Sequence, residues 1–202
     1  PHSAVHSPFM VTPERLATAK DDVMQALVSE IDTSTGRILH ALRKHGIDKD
    51  TLVLFTNDNG GAGKTNSGPL RGAKFGPKYE GHMRVSTLAW WPGKIKPGRV
   101  SDHLWYFPDV MPTLAELTGT KAVKDTDGLS IVPELIGAKA AGRQQAQHRY
   151  LYWELGSQSA VRMGHWKAVR PRANAAWELY DLKKDISEEH NVASDNPEIF
   201  EQ

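Results

Sequence analysis

The sequence contains no cysteine. This absence excludes disulfide bonds, metal sites built from thiolates and a cysteine nucleophile within these 202 residues. An excess of charge of one sign is also missing, because 25 Lys and Arg residues balance 24 Asp and Glu residues and leave a formal net charge of +1. Such a chain lacks the excess of positive charge that attracts nucleic acid or an acidic membrane surface. No apolar run approaches the length of a membrane-spanning helix.

The length and composition are those of a small globular protein. A chain of 202 residues, 39% hydrophobic and 24% charged, is long enough for one domain or for a domain with a small appendage. It begins at Pro1, without a methionine and without the features of a signal peptide. We therefore expect a processed or cut piece of a longer protein.

An unbroken apolar run, Leu52 to Phe55, predicts a strand buried on both faces, as in the parallel sheet of an α/β protein. The run is followed by Asn57-Asp58-Asn59-Gly60-Gly61. Open α/β sheets place ligand sites beyond the carboxyl ends of their strands. Asp58 and Asn59 offer oxygen ligands, which suit Ca²⁺ or Mg²⁺ better than zinc. A second interpretation, that these side chains only form the turn, stays open.

The rest of the chain predicts helices beside this strand, followed by a small antiparallel sheet. A helical apolar stripe covers residues 14–46 and ends at Gly46, and a second strand is predicted at residues 85–91. Breaker and turn signals predict helices at residues 108–117 (ending at Gly119), 127–136 and 196–201, a surface link at 138–147, strands at 150–155 and 177–182, and a hairpin at 160–169 with Gly164 and His165 at its tip.

Three motifs follow the Asp-Asn-Gly-Gly segment in a fixed order. They are Pro69-Leu70-Arg71-Gly72-Ala73-Lys74, then Glu80-Gly81-His82-Met83-Arg84-Val85, then Trp91-Pro92-Gly93-Lys94-Ile95-Lys96-Pro97-Gly98. Together they resemble the second half of a formylglycine-dependent sulfatase of the arylsulfatase family. The resemblance covers essentially the whole chain and implies an alkaline-phosphatase-like α/β fold with a mixed sheet and flanking helices. Residues 1–137 would then be the C-terminal part of the catalytic domain, and residues 138–202 a small antiparallel β subdomain with a terminal helix.

The resemblance also implies a set of site residues. Asp58 and Asn59 match two ligands of one Ca²⁺ ion, and Asp58 could also accept the proton of the nucleophile. Lys74 matches the lysine that contacts the sulfate, and His6 matches a histidine that faces the sulfate and the leaving oxygen. His103 matches a position near the substrate pocket. The formylglycine nucleophile and the remaining calcium ligands would come from the N-terminal half of the protein, which is outside this sequence.

The partners implied by the resemblance are a sulfated small molecule or glycan and the N-terminal half of the same protein, without nucleic acid and without a membrane span. The parent protein would be periplasmic, secreted or lysosome-like. The family also implies that the parent is a sulfuric ester hydrolase. We expect this chain alone neither to bind Ca²⁺ tightly nor to hydrolyse a sulfate ester, because two oxygen ligands fall short of the roughly six to eight that Ca²⁺ takes.

The chain departs from the family pattern in three places. Five residues separate Lys74 from Glu80, where the family has four, so either a residue has been inserted or Lys78 competes with Lys74 for the sulfate. His82 stands where the family has a second glycine, which requires a compatible backbone angle or a local rearrangement. Ser86 stands where the family has a proline.

Two alternatives to a sulfatase remain at this point. The first is a metal-dependent phosphatase or phosphodiesterase of the same superfold. Those enzymes generally use two zinc ions and place a histidine where this chain has Asn59, and an Asp-Asn pair favours a single hard cation. The second is a non-catalytic, sulfatase-like remnant that serves as a scaffold or binding module.

Overall fold

The computed structural model describes residues 2–61, 67–121 and 124–200. The chain forms two compact units, one made of Pro1–Val53 with Trp90–Gly93 and the other of Leu54–Ala89 with Lys94–Gln202. The second unit contains Asp58, Asn59, Lys74 and His103 of the predicted site residues, and the first contains His6. The division at residue 137 into a catalytic part and a small subdomain stays a prediction.

Two helices, α1 (Pro13–Thr18) and α2 (Val23–Lys44), occupy the region of the predicted helical stripe. The region is interrupted at Lys20 and Asp21, whose φ angles of 53° and 65° are left-handed. The prediction of one helical region across residues 14–46 is therefore wrong at this break. Its end is confirmed, since Gly46 adopts a φ of 67° just after the last turn.

The start of α2 is fixed by Asp22. Its Oδ1 accepts hydrogen bonds from the main-chain N–H groups of Met24 and Gln25 at 2.9 and 3.0 Å. An aspartate in this position satisfies donors that the first helical turn leaves unpaired. The helix buries Ala26 and Leu27 within the first unit.

Strands β1 (Val53–Thr56) and β2 (Thr87–Trp90) form a two-stranded sheet, which confirms both predicted strands. The hydroxyl oxygens of Thr56 and Thr87 lie 3.1 Å apart across this pair. The prediction that the first strand is buried on both faces is wrong, because every residue of β1 is half-buried. The physical reason is that, among the described residues, β2 is the strand that pairs with β1, so part of its surface stays uncovered.

Among the described residues, four further α-helices lie in the second unit before its large sheet. The short α3 (Glu80–Met83) was not predicted. Helix α4 (Val110–Thr118) ends at Gly119, whose φ of 65° is left-handed, and this confirms the predicted stop. Helices α5 (Val132–Ile136) and α6 (Ala138–Ala141) follow, the second within the stretch predicted as a surface link.

A four-stranded antiparallel sheet confirms the predicted C-terminal subdomain architecture. Its strands are β3 (Leu151–Leu155), β4 (Gln158–Met163), β5 (Trp166–Arg170) and β6 (Glu178–Asp181), in the order β3-β4-β5-β6. Met163 pairs with Trp166, so that Gly164 and His165 form the predicted hairpin tip. Gly164 has the positive φ (58°) that such a turn needs at its first position.

The core of the second unit joins this sheet to the segment before α3. Tyr79 packs in one buried cluster with Ala160, Val169, Tyr180 and Leu182. Because Tyr79 directly precedes the Glu80-Gly81 motif, the hydrophobic core anchors that motif to the sheet. The terminal helix α7 (Pro197–Phe200) confirms the last predicted helix, whose final residue lies outside the described residues.

Candidate active site after strand β1

Asp58 and Asn59 lie two and three residues after the end of β1, as the sequence predicts. Asp58 is exposed and its Oδ1 accepts a hydrogen bond from the main-chain N–H of Asn59 at 3.0 Å. Asn59 is half-buried. Within the described part of the chain, no hydrogen bond involves Asp58 Oδ2 or the side-chain oxygen of Asn59.

Gly60 brings this loop into main-chain contact with α3. Its N–H donates to the carbonyl oxygen of His82 at 2.9 Å. A Cβ atom at Gly60 would lie 1.8 Å from the carbonyl oxygen of Gly81, which is a backbone atom that cannot move aside easily. The loop therefore reaches its position because residue 60 has no side chain.

Lys74 is joined to the same loop. Its main-chain N–H donates to the carbonyl oxygen of Gly61 at 2.6 Å. Lys78 has no such main-chain link among the described residues, and its Nζ lies 5.7 Å from the centre of the Tyr79 ring. Of the two lysines left open by the sequence, Lys74 is the one that the structure joins to the Asp58-Asn59 loop.

Gly81 connects α3 to the segment that leads to Lys74. Its N–H donates to the carbonyl oxygen of Arg71 at 2.8 Å, and a Cβ atom here would lie 2.5 Å from the carbonyl oxygens of both Arg71 and Gly72. Three segments, residues 59–61, 71–74 and 80–82, thus pack main chain against main chain. This packing places the loops of three separate motifs together.

His82, which departs from the family pattern, lies against two glycines. A Cβ atom at Gly72 would lie 2.3 Å from Cε1 of its ring, and one at Gly76 would lie 3.4 Å from its Cδ2. The N–H of Tyr79 donates to His82 Nδ1 at 3.1 Å. Burial lowers the pKa of His82, and the positive charges of Lys78 and Lys167 lower it further, against a main-chain hydrogen bond that raises it. The ring is therefore neutral near pH 7.

The lowered pKa of His82 predicts a pH effect on stability. The folded state holds this proton less tightly than the unfolded state, whose pKa is near the ordinary value of 6.5. The stability that depends on His82 is then present above pH 6.5 and is lost as the pH falls through the folded pKa. We expect His82→Gln to flatten the fall in the free energy of unfolding between about pH 7 and pH 5, measured by urea unfolding at each pH. Equal slopes for the two proteins would contradict this.

The side chain of Arg71 makes structural contacts with residues beside the site. Its Nη1 donates to the carbonyl oxygen of Glu188 at 2.6 Å and to the hydroxyl of Tyr180 at 3.1 Å. Its guanidinium also lies 3.9 Å from the centre of the Tyr79 ring. These contacts use the side chain for structure, as a planar cation that stacks on an aromatic ring can do.

A group of buried charges beside the site was missed in the sequence. Glu80, Lys167 and Glu188 are 2%, 0% and 0% exposed. Burial raises the pKa of Glu188, against the neighbouring Lys167, which lowers it. The alternation of side chains between the two faces of β5 could have revealed the burial of Lys167, because Lys167 lies on the same face of that strand as the buried Val169.

His103 is half-buried in another part of the second unit. Its Nδ1 is buried without a hydrogen bond to any described residue, and burial lowers its pKa, against Glu134 and Asp109, which raise it. Nearby, Nε2 of His148 lies 2.8 Å from Oδ1 of the buried Asp109. No hydrogen bond or ion pair in the described ranges joins His103 to Lys74 or Asp58, so its contact with substrate stays a prediction.

His6 belongs to the first unit. It is exposed, and its Nδ1 lies 2.8 Å from the carbonyl oxygen of Ser7. Its side chain and those of His2, Arg15 and Glu30 line a surface pocket. The role of His6 toward the sulfate and the leaving oxygen stays a prediction.

The oxygen atoms of Asp58 and Asn59 fit a calcium ion in kind but not in number. Carboxylate and amide oxygens are the ligands that this hard cation prefers. No group of three or more His, Cys, Asp or Glu side chains that could hold a metal occurs among residues 2–61, 67–121 and 124–200. A calcium site built on Asp58 and Asn59 would need further oxygen donors from outside these ranges, and their role as ligands stays a prediction.

The order of strands, helices and loops defines an α/β protein of alkaline-phosphatase-like fold with an antiparallel sheet subdomain. Residues 5–120 match the family model described as Sulfatase. Residues 77–200 match a second model, described as N-sulphoglucosamine sulphohydrolase, C-terminal. The chain belongs to the sulfatase family, as its motifs indicated.

Individual relatives agree with the family match. The chain is 33% identical to the N-acetylgalactosamine-6-sulfatase of Mus musculus over 94% of its own length and 37% of the relative's. It is 34% identical to the arylsulfatase A of Homo sapiens over 85% of its length and 40% of the relative's. A crystal structure of Ps i-CgsB in complex with k-i-k-neocarrahexaose superimposes with a TM-score of 0.82, at 28% identity, over 97% of this chain and 45% of that one. The chain therefore spans less than half the length of these relatives.

Proposed function

We propose that this chain supplies the C-terminal half of the active site of a sulfuric ester hydrolase that acts on a sulfate monoester. The main-chain junction between the Asp58-Asn59 loop and Lys74 is the observation that supports this most directly. The hydrogen bond from the main-chain N–H of Lys74 to Gly61 holds residue 74, whose side chain is a cation, next to the loop that offers hard oxygen ligands. A sulfate ester needs both, because its charged oxygens must be neutralised while the ester bond breaks.

Asp58 and Asn59 would hold a Ca²⁺ ion, which supplies positive charge to the sulfate when bound. Lys74 would hold a sulfate oxygen, since a compact ammonium suits a tetrahedral oxyanion. Asp58 would accept the proton of the nucleophile. His6 would give a proton to the departing alkoxide, because imidazole can do so near neutral pH. His103 would contact the substrate.

The remaining half of the site would come from the N-terminal half of the same protein. The formylglycine belongs there, because this chain has no cysteine from which to make one.

The names of two relatives support a class of substrate. One is named for N-acetylgalactosamine and another was solved with neocarrahexaose, which supports a sulfated glycan or a sulfated small molecule. The parent protein would be periplasmic, secreted or lysosome-like. Within the described residues, none of the helices is both long enough and apolar enough to span a membrane.

The proposal is tested with the intact protein and with the 202-residue chain alone. Purified intact protein is assayed with an aryl sulfate and the matching aryl phosphate after chelation and re-addition of Ca²⁺ or Zn²⁺. We expect hydrolysis of the sulfate that depends on Ca²⁺, and no hydrolysis by the chain alone. Zinc-dependent hydrolysis of the phosphate would identify a phosphatase instead, and inactivity toward both esters would favour a non-catalytic protein.

Lys74 and Lys78 provide a matched pair of variants for the sulfate contact. We expect Lys74→Ala in the intact protein to lower kcat/KM for a sulfate ester about 10- to 100-fold, the loss of one charge-assisted hydrogen bond. Lys78→Ala removes the same charge from a residue four positions later, and we expect less than about a threefold change. Steady-state kinetics of the two variants show which lysine contacts the sulfate. A larger loss of kcat/KM in Lys78→Ala than in Lys74→Ala would assign the sulfate contact to Lys78.

A further inference from the structure

A cluster of buried charges lies between the C-terminal sheet and the Glu80-Gly81 motif. Lys167 Nζ, on β5, lies 3.1 Å from Glu80 Oε1 and 3.0 Å from Glu188 Oε1. Arg162 Nη1, on β4, donates to Glu80 Oε2 at 2.9 Å, and Arg84 Nη1 lies 3.7 Å from the same oxygen. Charges buried this deeply persist only when they are paired, so each partner fixes the position of the others.

The cluster also holds the main chain of the motif. Glu188 Oε2 accepts a hydrogen bond from the main-chain N–H of Glu80 at 2.6 Å. The carbonyl oxygen of Glu188 accepts one from Arg71 Nη1 at 2.6 Å. Glu188 adopts a left-handed φ of 53°, an uncommon angle for a residue with a side chain. Glu80 is therefore fixed at its side chain and at its main chain.

Main-chain contacts connect Glu80 to the proposed ligands. Gly81 and His82 follow Glu80, and the carbonyl oxygen of each lies against Gly60. The carbonyl oxygen of Gly81 lies where a Cβ atom on residue 60 would clash, and that of His82 accepts a hydrogen bond from the Gly60 N–H. Gly60 directly follows Asn59. A shift of Glu80 must therefore move the Asp58-Asn59 loop, because no side chain lies between the two main chains to absorb it.

We infer that Glu80 is a positioning residue for the proposed calcium ligands, held in place by Lys167, Arg162 and Glu188. This inference rests on the proposed function. The side chain of Glu80 is too deeply buried to contact substrate itself, at 3% exposure. A buried ion pair is often no more stabilising than apolar residues of the same size, so a geometric role accounts for these charges better than stability does.

The first test is Glu80→Gln in the intact protein. Glutamine keeps the size of the side chain and removes its charge. We expect kcat for a sulfate ester to fall about 10- to 100-fold and the Ca²⁺ concentration for half-maximal activity to rise about tenfold, the usual size of effects on groups that orient metal ligands. The KM for the ester should change less than kcat, because the substitution removes no group that is proposed to contact the substrate.

A double variant separates positioning from folding. Glu80→Gln with Lys167→Met lowers the number of buried charges by one of each sign, so it should unfold at a higher temperature than Lys167→Met alone. If the cluster positions the loop, the double variant stays as slow as Glu80→Gln. Recovery of kcat together with thermal stability would overturn the inference. Leu151→Ala is the matched control, since it opens a cavity in β3 of the same sheet and should leave kcat within about twofold.

Hydrogen exchange provides a readout that does not depend on activity. The N–H groups of Gly60 and Lys74 donate to His82 and Gly61 in the folded protein. We expect both to exchange at least about tenfold faster in Glu80→Gln, while amides of β3 and β4 exchange as in the wild type. Unchanged exchange at Gly60 and Lys74 would overturn the inference even in an active enzyme. Faster exchange in a protein that hydrolyses no sulfate ester would support the inference and reject the proposed function.

Discussion

Asp58→Ala should abolish nearly all activity of the intact protein toward a sulfate ester. The substitution removes the only formal charge among the two proposed calcium ligands of this chain, and with it the proposed acceptor of the nucleophile's proton. We expect kcat/KM to fall about a thousandfold or more, because the preorganised charge around the sulfate depends on the ion. Initial rates measured across a calcium titration would show both the loss and a rise in the calcium requirement.

Two further variants make this prediction specific. Asp58→Asn keeps an oxygen ligand and removes the charge, so it should retain more calcium binding than Asp58→Ala. Asp50→Ala removes an exposed aspartate from the 3-10 turn Asp48–Asp50, and we expect its rates to stay within about twofold of the wild type. An Asp58→Ala protein as active as Asp50→Ala would show that Asp58 only forms the turn.

Gly60→Ala should damage both stability and activity. The new Cβ atom would lie 1.8 Å from the carbonyl oxygen of Gly81, so one of the two main chains must move. Overpacking of this kind costs about 1–3 kcal/mol or more, and a shift of about 1 Å in the loop can cost a hundredfold in rate. Denaturant unfolding and steady-state kinetics of the same sample would measure the two effects.

Gly36 provides the matched control. It lies in α2, and a Cβ atom there would meet nothing within 4 Å. Gly36→Ala should therefore stabilise the protein by about 0.5–1 kcal/mol, because alanine favours a helix interior over glycine. If Gly60→Ala were as harmless as Gly36→Ala, the close approach between residues 60 and 81 would be wrong.

Local sequence signals identified most elements of the fold. Gly119 ends α4 and Gly164 forms the hairpin tip because both positions need a left-handed backbone angle, which glycine adopts freely. The break before α2 was missed because Lys20 and Asp21 adopt such angles without being glycine. The burial of β1 was overestimated because an apolar run shows what a strand can bury, and not which segments cover it.

The candidate site was predicted in part for similar reasons. Asp58 and Asn59 were identifiable because polar residues follow an apolar strand, and Lys74 because a motif surrounds it. The contact of Gly60 with Gly81 is main chain against main chain, and no periodicity of side chains encodes it. The ion pairs of Lys167 join residues that are far apart in sequence, so only the folded sheet brings them together.

The most direct test is a crystal structure of the intact protein grown with Ca²⁺ and a sulfate ester or sulfate. We expect a calcium ion about 2.3–2.6 Å from the side-chain oxygens of both Asp58 and Asn59. We also expect the Nζ atom of Lys74 within hydrogen-bond distance of a sulfate oxygen. A calcium ion bound elsewhere, with Asp58 and Asn59 turned to solvent, would contradict the assignment of these two residues as calcium ligands.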